Sequence, residues 1–258
     1  MDATYWQRQG TDELYPDIRW SRPENKAQAG KLLLIGGSSH GFFAVSRSYE
    51  AVLEEGIGQC KTIVPDAIKK LIGQQPFINE YAASSVSGGF ARASLPSLHA
   101  GAAWADVVWC VGDFGRSSET ALLLEDLLTQ SPARLALSDD SVDFFVSRPD
   151  VLLDRSGTLL ILDFQRLQAL LQKRSQKPIT STLPLAQFVE ILHELSLFIQ
   201  ATLCTSIHGV AVVAHGGSVV TSKLSEPLDE TLARIVVYWT QFPAQPLEAI
   251  ATAIYVKK

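Results

Sequence analysis

The chain has 258 residues, 47% of them hydrophobic and 19% charged, which is an ordinary globular composition with enough apolar residues for a substantial core. Its formal net charge of −5 provides no basic stripe to neutralise a phosphate backbone, so we expect no nucleic-acid partner. No apolar run approaches the ~20 residues of a membrane span, so we expect no membrane partner either.

The termini and the cysteines predict a cytoplasmic, soluble protein. The N-terminal stretch MDATYWQRQGTDELYPD is polar and shows no apolar signal region. Cys60, Cys110 and Cys204 stand far apart without a C-x-x-C pair, which favours free, mostly buried thiols. Residues 1–29 are predicted to be an irregular arm whose aromatic side chains, Trp6 and Trp20 among them, lie against the protein, and residues 30–258 one continuous domain.

The first chemically informative stretch is Gly30–Val52, which reads GKLLLIGGSSHGFFAVSRSYEAV and predicts a strand, a glycine loop and a helix. Glycines allow close backbone approach, and N–H groups at a helix start attract anions. A nucleotide or another polar ligand is one interpretation; the other is that the glycines only turn a strand into a helix. The loop lacks the lysine and the Ser/Thr that complete a P-loop.

The next elements alternate between strand and helix, which favours a parallel sheet covered on both faces. They are a strand at 61–64, a helix at 67–72 capped by Asp66, a strand at 77–82, a weak helix at 91–105 interrupted by Pro96, and the apolar strand DVVWCVG at 106–112.

A second glycine loop, Gly112–Arg116, follows that strand and leads into the helix ETALLLEDLLTQ with a serine cap. In open α/β sheets ligands bind at the carboxyl ends of strands, so the two glycine loops predict a common binding edge.

The remaining elements continue the pattern. They comprise strands at 134–137 and 158–162, a helix at 165–173 with Lys173 and Arg174 in its last turn, a helix at 186–199, strands at 204–207 and 210–214, a turn at 215–217 into a strand at 218–221, and closing helices at 228–241 and 247–256.

Two polar pairs carry possible chemistry. Asp139 and Asp140 follow a strand, where they bind a metal-nucleotide or a ligand hydroxyl, or else only cap a turn. His193 and Glu194 begin like a zinc-protease motif, but residue 197 is leucine, so His193 is interpreted as a helix-surface histidine. We therefore predict no metal site formed by the protein alone.

Taken together, several segments resemble the NAD(P)H-hydrate dehydratase family of the ribokinase-like superfamily. The segment GKLLLIGGSSHGFFAVSRSYEAVLEEGIGQCKTIVP is similar to the opening of that family, and DVVWCVGDFGRSSETALLLEDLL to its G-P-G-L-G loop and helix. LALSDDSV resembles its D-A-D-A-L strand end, and VAVVAHGGSVVTS its K-G-x-x-T hairpin with His215 on the lysine. The resemblance implies a three-layer α/β/α sandwich with a mainly parallel central sheet.

The same resemblance implies an activity, a cofactor and a set of site residues. In this family ATP or ADP, with Mg²⁺, drives the repair of hydrated NAD(P)H, and homo-oligomers are common. The implied catalytic base is Glu230, which stands where the family has N-G-T-G-D. The implied substrate residues are Gly36, Gly37, Ser38, His40, Gly41 and Asp140, and the implied nucleotide residues are Gly112, Gly115, Arg116, His215, Gly216 and Gly217.

The residues around Glu230 depart from the family pattern. Pro227, Leu228, Asp229 and Glu230 replace the glycines that turn backbone N–H groups toward phosphate. Glu226, Asp229 and Glu230 are interpreted as an acidic helix cap that would repel phosphate. Two hypotheses remain: a divergent dehydratase or related small-molecule kinase, and a non-catalytic relative that binds a nucleotide or metabolite or serves as a partner subunit.

Overall fold

The computed structural model describes residues 4–175 and 177–256. These residues form two compact units. The central unit spans Glu24–Phe144, and the terminal unit combines the described residues of 1–23 with those of 145–258. Each unit contains its own strands and helices and is described separately.

The central unit is built on five parallel strands in the order β6-β5-β2-β3-β4. Apolar residues fill β2 and β5 without alternation because both faces of a parallel sheet are covered. The strands are β2 (Lys31–Gly36), β3 (Gln59–Pro65), β4 (Glu80–Ala82), β5 (Val107–Gly112) and β6 (Arg134–Ser138).

Helices cover both faces of this sheet. They are α2 (Phe43–Glu54), α3 (Lys69–Ile72), α4 (Leu95–Trp104) and α5 (Ser118–Gln130). The connection through α2 leads from β2 to its neighbour β3, whereas the connection through α4 returns past β2 to β5. Because such crossovers are right-handed, α2 and α4 lie on opposite faces. The predicted α/β class with a mainly parallel sheet is confirmed.

The terminal unit contains five strands in the order β1-β10-β9-β8-β7. Strand β8 pairs with β7 in parallel, and β8, β9 and β10 form an antiparallel meander. The strands are β1 (Trp6–Gln9), β7 (Thr158–Ile161), β8 (Thr202–Ile207), β9 (Val210–His215) and β10 (Ser218–Lys223). The predicted turn at residues 215–217 is confirmed.

The helices of the terminal unit are α1 (Pro16–Trp20), α6 (Asp150–Leu153), α7 (Phe164–Leu171), α8 (Leu185–Ser196), α9 (Leu232–Gln241) and α10 (Pro246–Tyr255). Helix α10 packs against α9 and against strands β8 to β10, and α8 packs against β9 and β10. Single 3-10 turns occur along the chain at Arg92–Ser94, Asp139–Ser141, Asp143–Phe145 and Leu228–Glu230.

The N-terminal segment is more regular than its sequence indicates. Strand β1 pairs in parallel with β10, and the indole N–H of Trp6 donates to Oγ1 of Thr221 at 2.9 Å. Trp20 remains 77% exposed, so the prediction that both tryptophans lie against the protein is wrong for Trp20. A four-residue strand is too short to show a clear period, and only its neighbour β10 makes it a strand.

Several local expectations are corrected by the structure. Asp66 does not cap a helix, because its Oδ1 accepts from the backbone N–H of Ser84 at 3.1 Å and α3 begins later. Helix α7 ends before Arg174, whose guanidinium pairs with Asp150 and Asp154. Pro96 lies in the first turn of α4, where its missing N–H has no intrahelical partner to lose, so it does not interrupt the helix.

The prediction of free thiols is confirmed for all three cysteines, and the prediction of burial is confirmed for two of them, since Cys60 is only half-buried. All three are free, and Cys110 and Cys204 are buried. Burial raises the pKa of each of the three thiols to about 12. In the segments 4–175 and 177–256, no helix has the length and apolarity needed to cross a membrane.

Candidate functional site

The glycine loop between β2 and α2 is folded tightly on itself and onto the end of β5. The N–H of Ser38 donates to the carbonyl of Gly41 at 2.7 Å, and the N–H of Gly41 donates back to Ser38 at 3.1 Å. A Cβ on Gly36 would lie 2.6 Å from the carbonyl oxygen of Gly112, so only glycine allows this contact. The first and second glycine loops predicted from the sequence therefore touch each other.

Every backbone N–H from Gly37 to Gly41 already has an acceptor within the protein. Besides the Ser38–Gly41 pair, Gly37 donates to the Gly112 carbonyl at 3.0 Å and Ser39 to the Gly88 carbonyl at 2.9 Å. The N–H of His40 donates to Oγ of Ser38 at 3.3 Å. The loop resembles a phosphate cradle in sequence, but its amides are not available to an anion without breaking these bonds.

The start of α2 is likewise occupied, by a side chain from the second glycine loop. Oδ2 of Asp113 accepts from the backbone N–H of Ala44 at 2.8 Å, while the helix has no cap from its own N-cap residue, Phe42. A Cβ on Gly41 would lie 3.1 Å from Oδ1 of Asp113, so this glycine makes room for the carboxylate. Asp113 thus supplies the negative charge that a helix N-terminus favours.

Asp113 belongs to a group of four carboxylates at the carboxyl ends of β5 and β6. Burial, followed by the negative charges of Asp113, Asp143 and Asp139, raises the pKa of Asp140 to about 6, against a lowering hydrogen bond from the Phe114 backbone. Oδ1 of Asp140 is buried and has no hydrogen-bond partner among the described residues. Buried acceptors without a partner are rare in folded proteins, so this oxygen marks a candidate binding position.

Two of these aspartates have unusual backbone conformations. Asp113 has a φ of 59° and Asp139 a φ of 53°, in the left-handed region that costs energy for a residue with a side chain. Such strain is retained only where the surrounding structure fixes it, and it clusters at functional sites. The strained pair supports a binding role for this edge of the central unit.

The structure brings most of the predicted central-unit residues to this edge. Within the first glycine loop, the side chain of His40 is exposed, and its Nδ1 lies 3.2 Å from Oγ of Ser39. Arg116 is exposed on the segment that follows the second loop. The residues gathered by the two loops and the end of β6 are Gly36, Gly37, Ser38, Gly41, Gly112, Gly115 and Asp140.

The predicted nucleotide residues of the terminal unit form the β9–β10 turn. Nδ1 of His215 lies 2.9 Å from Oγ1 of Thr202, and burial lowers the pKa of His215, with Glu248 opposing that shift. A side chain of α8 stabilises the turn, because the N–H of Gly217 donates to Oγ of Ser196 at 3.1 Å. Gly216 is exposed, and nothing lies within 4 Å of a Cβ built on it, so the turn has an open side.

His193 supports the same turn and is not a surface histidine. Its Nδ1 lies 2.5 Å from the carbonyl oxygen of Gly217, and its ring stacks on Tyr5 with centroids 3.7 Å apart and an angle of 11° between the planes. Sequence alone could not detect this role, because Tyr5, His193 and Gly217 are far apart along the chain and are joined only by the packing of α8.

The segment around Glu230 does not have the geometry of an anion hole. Glu230 is exposed, and its N–H donates to the carbonyl of Pro227 at 3.1 Å, while the N–H of Thr231 donates to Leu228 at 3.0 Å. The predicted acidic cap is wrong in detail, since α9 begins after this turn and has no side-chain cap.

Glu226, the third residue assigned to that cap, has a different partner. It pairs with Arg234, which is only 3% exposed and whose Nε donates to the Ala253 carbonyl at 2.6 Å. Removing a partner from a buried charge is costly, so Glu226 has a structural role.

A cavity in the terminal unit lies apart from the predicted site residues. It has a volume of about 680 Å³ and includes none of the residues implicated by the two glycine loops or the β9–β10 turn. Its lining consists of Gln165, Gln168, Ala169, Gln172, Ser175, Lys177, Pro178, Ile179 and Thr180. No group of three or more His, Cys, Asp or Glu side chains within 4–175 and 177–256 is arranged to hold a metal.

Sequence reasoning did not assign a role to Asp113 or to residues 84–90, which contact Ser39. The signal for Asp113 was present, since it lies between Gly112 and Gly115 at the end of a buried strand. The contact between Ser39 and Gly88 had no such signal, because the two residues meet only through the folding of residues 84–90 over the glycine loop.

Comparison with solved structures defines the fold as ribokinase-like. A ribokinase-like superfamily protein from Enterococcus faecalis V583 is similar with a TM-score of 0.71 and 18% identity, over 99% of this chain and 87% of that one. A hypothetical protein from Streptococcus mutans is similar with a TM-score of 0.69 and 18% identity, over 96% of this chain and 88% of that one.

Solved structures of enzymes with a stated activity are also similar to this chain. The ADP/ATP-dependent NAD(P)H-hydrate dehydratase from Bacillus subtilis, co-crystallised with ATP/Mg²⁺, is similar with a TM-score of 0.57 and 14% identity, over 93% of this chain and 84% of that one. No protein-family model matches the chain, and no curated protein matches it. At these identities the likeness shows the fold and leaves the reaction to be argued from the residues.

Proposed function

We propose that this chain is a nucleotide-using ribokinase-like protein whose ligand donates hydrogen bonds to the carboxylates at the end of β5 and β6. The observation that carries the proposal is Oδ1 of Asp140, a buried acceptor without a partner among the described residues. A ligand hydroxyl at this position would remove the cost of an unsatisfied buried oxygen. Within this class, the reaction proposed is the ATP- or ADP-dependent dehydration of hydrated NAD(P)H.

The roles of the residues follow from their chemistry. Asp140 and the glycine loop would hold the substrate, and the open turn at His215–Gly217 would border the nucleotide. Glu230 is the proposed base, since an exposed carboxylate is available to accept a proton. Mg²⁺ would enter with the nucleotide, and carboxylate oxygens are ligands that it prefers. The dehydratase co-crystallised with ATP/Mg²⁺ supports this cofactor choice through its shared fold.

A non-catalytic binding protein is the second candidate, and the turn around Glu230 favours it. The N–H groups of Glu230 and Thr231 are already bonded within the turn. They are therefore not free to stabilise charge on a transferring phosphoryl group, which is the main contribution of such sites to phosphoryl transfer. In this candidate the ligand site at Asp140 persists without the reaction.

The test is to incubate the protein with hydrated NADH, Mg²⁺ and either ATP or ADP and to follow recovery of NADH absorbance. The dehydratase proposal expects recovery that Glu230→Gln abolishes. Asp229→Asn, which changes the neighbouring exposed carboxylate in the same way, should leave recovery in place.

Absence of recovery combined with a nucleotide-dependent rise in melting temperature would favour the non-catalytic binder. Absence of both would reject both candidates.

A further inference from the structure

Residues 85–89 form a small closed loop that lies against the first glycine loop. The N–H of Ser85 donates to the carbonyl of Gly89 at 2.8 Å, and the N–H of Gly88 donates back to the carbonyl of Ser85 at 2.9 Å. Val86, at the tip, is fully exposed. Since the segment keeps its shape through hydrogen bonds of its own, residues 85–89 are called the flap.

The residues on either side of the flap are fixed to the central unit. Ser84 and Phe90 form an antiparallel bridge. The N–H of Ser84 donates to Oδ1 of Asp66 at 3.1 Å, and the carbonyl of Phe90 accepts from Oγ1 of Thr120 at 3.1 Å. The ring of Phe90 is fully buried and lies 6.1 Å from that of Phe114, measured between centroids. Movement of the flap is therefore confined to its two junctions with this base.

One hydrogen bond joins the flap to the first glycine loop. The N–H of Ser39 donates to the carbonyl of Gly88 at 2.9 Å, and among the described residues the flap makes no other hydrogen bond outside its own segment. A Cβ on Gly88 would lie 1.8 Å from Oγ of Ser39, so only glycine allows this contact. Because one hydrogen bond adds little net stability, the flap can lift while the glycine loop stays folded.

Ser39 differs from its neighbours in the position of its acceptor. The amides of Gly37, Ser38, His40 and Gly41 all donate to acceptors within the two glycine loops. Among residues 37–41, Ser39 alone donates to an acceptor that belongs to the flap. Lifting of the flap therefore frees the N–H of Ser39 and leaves the other hydrogen bonds of the loop in place.

We propose that residues 85–89 are a flap that closes the first glycine loop. The hydrogen bond from Ser39 to Gly88 is its latch, and the flap lifts as a unit to open the amide and the hydroxyl of Ser39 to a ligand. The inference goes beyond the proposed function and does not rest on the identity of the ligand.

Amide hydrogen exchange of the full-length protein, followed by NMR and corrected for intrinsic rates, tests the flap with water as the probe of access. The amide of Ser39 should exchange about tenfold faster than those of Gly37 and Gly41, because only its acceptor leaves with the flap. The amide of Gly88 should exchange more slowly than that of Ser39, because its acceptor, Ser85, moves with it.

Gly88→Ala tests the latch, because its methyl group would collide with Ser39. Exchange at Ser39 should become about tenfold faster again, with Gly37 unchanged. Gly73→Ala is the matched control: the φ of Gly73 is 67°, against 80° at Gly88, but nothing lies within 4 Å of a Cβ built on it. This control should leave exchange at Ser39 unchanged.

A second substitution should restore the closed flap. Adding Ser39→Gly to Gly88→Ala removes Oγ and Cβ of residue 39, so the next contact of the new methyl group is the backbone nitrogen, at 3.3 Å. Exchange at residue 39 should then return toward the rate of the unmodified protein.

Equal exchange of Ser39, Gly37 and Gly41 in the unmodified protein would overturn the inference, because the flap and the loop would then open only together. Exchange of Gly88 as fast as that of Ser39 would overturn it too, since the flap would unfold instead of lifting. The same holds if Gly88→Ala has no effect at Ser39, if Gly73→Ala has an equal effect, or if the double variant restores nothing. Because no nucleotide or hydrated cofactor enters this experiment, its failure is distinguishable from failure of the proposed function.

Discussion

Asp140 shows how a single side chain acquires its properties from neighbours that are distant in sequence. The sequence placed Asp139 and Asp140 at the end of a strand, which the structure confirms for β6. The sequence alone does not decide whether these carboxylates bind a ligand or cap a turn. The burial of Oδ1 and the approach of Asp113 favour the binding role, and both arise from the pairing of β5 with β6.

The raised pKa of Asp140 predicts a pH dependence of stability. The carboxyl holds its proton up to about pH 6 in the folded protein but only to its ordinary value of 3.8 when unfolded. The folded state therefore binds more protons between these values, and the free energy of unfolding falls as pH rises through this window. Asp140→Asn should flatten that fall and stabilise the protein at neutral pH by about 1 kcal/mol, once solvent screening is allowed for.

The pH dependence of stability is measured by denaturant unfolding of the unmodified protein and of Asp140→Asn at several pH values from about 4 to 7. Asp229→Asn, at an exposed site, should reproduce the pH profile of the unmodified protein. If the free energy of unfolding of Asp140→Asn depends on pH in the same way as that of the unmodified protein, the raised pKa of Asp140 is contradicted.

At the scale of elements, the long apolar strands and periodic helices were predictable, and the short or edge elements were not. Strand β5 is apolar throughout, and α5 begins with the serine cap that was expected, since Oγ of Ser117 accepts from the N–H of Thr120 at 3.4 Å. Strand β1 has no comparable pattern, because two of its four residues are exposed and its backbone partners lie in β10.

Strand β1 is predicted to protect β10. Removal of residues 1–9 would uncover the edge of β10, where Val219 and Val220 are 0% and 1% exposed, and would remove the bond from Trp6 to Thr221. The free energy of unfolding should fall by about 1–2 kcal/mol, which lowers the melting temperature by several degrees. Aggregation should increase, because an uncovered edge strand pairs with other chains. Thermal melts with light scattering measure both.

The exposed Trp20 offers a matched control for that truncation. Because its ring is 77% exposed, Trp20→Ala should leave the melting temperature nearly unchanged. Equal melting temperatures for the truncated and full-length proteins would show that β1 does not stabilise its unit.

At the scale of the whole molecule, the resemblance of several segments to a known family implied the ribokinase-like fold, and similar solved structures confirm that fold. The extent of the domain, residues 30–258, stays a prediction, and within the described residues the chain forms two compact units. One continuous domain should unfold in a single cooperative transition, with equal calorimetric and van't Hoff enthalpies. Differential scanning calorimetry measures both enthalpies, and two resolved transitions would contradict the single domain.

The sequence by itself determined the α/β class, the position of the two glycine loops and the aspartates after β6, because apolar runs, glycines and strand-end carboxylates are local signals. It could not determine what those loops do. Only the tertiary structure showed that the amides of Gly37–Gly41 are already bonded and that Asp113 occupies the start of α2. Hydrogen-bond partners distant along the chain decide whether a backbone N–H is free, and that information is absent from any short motif.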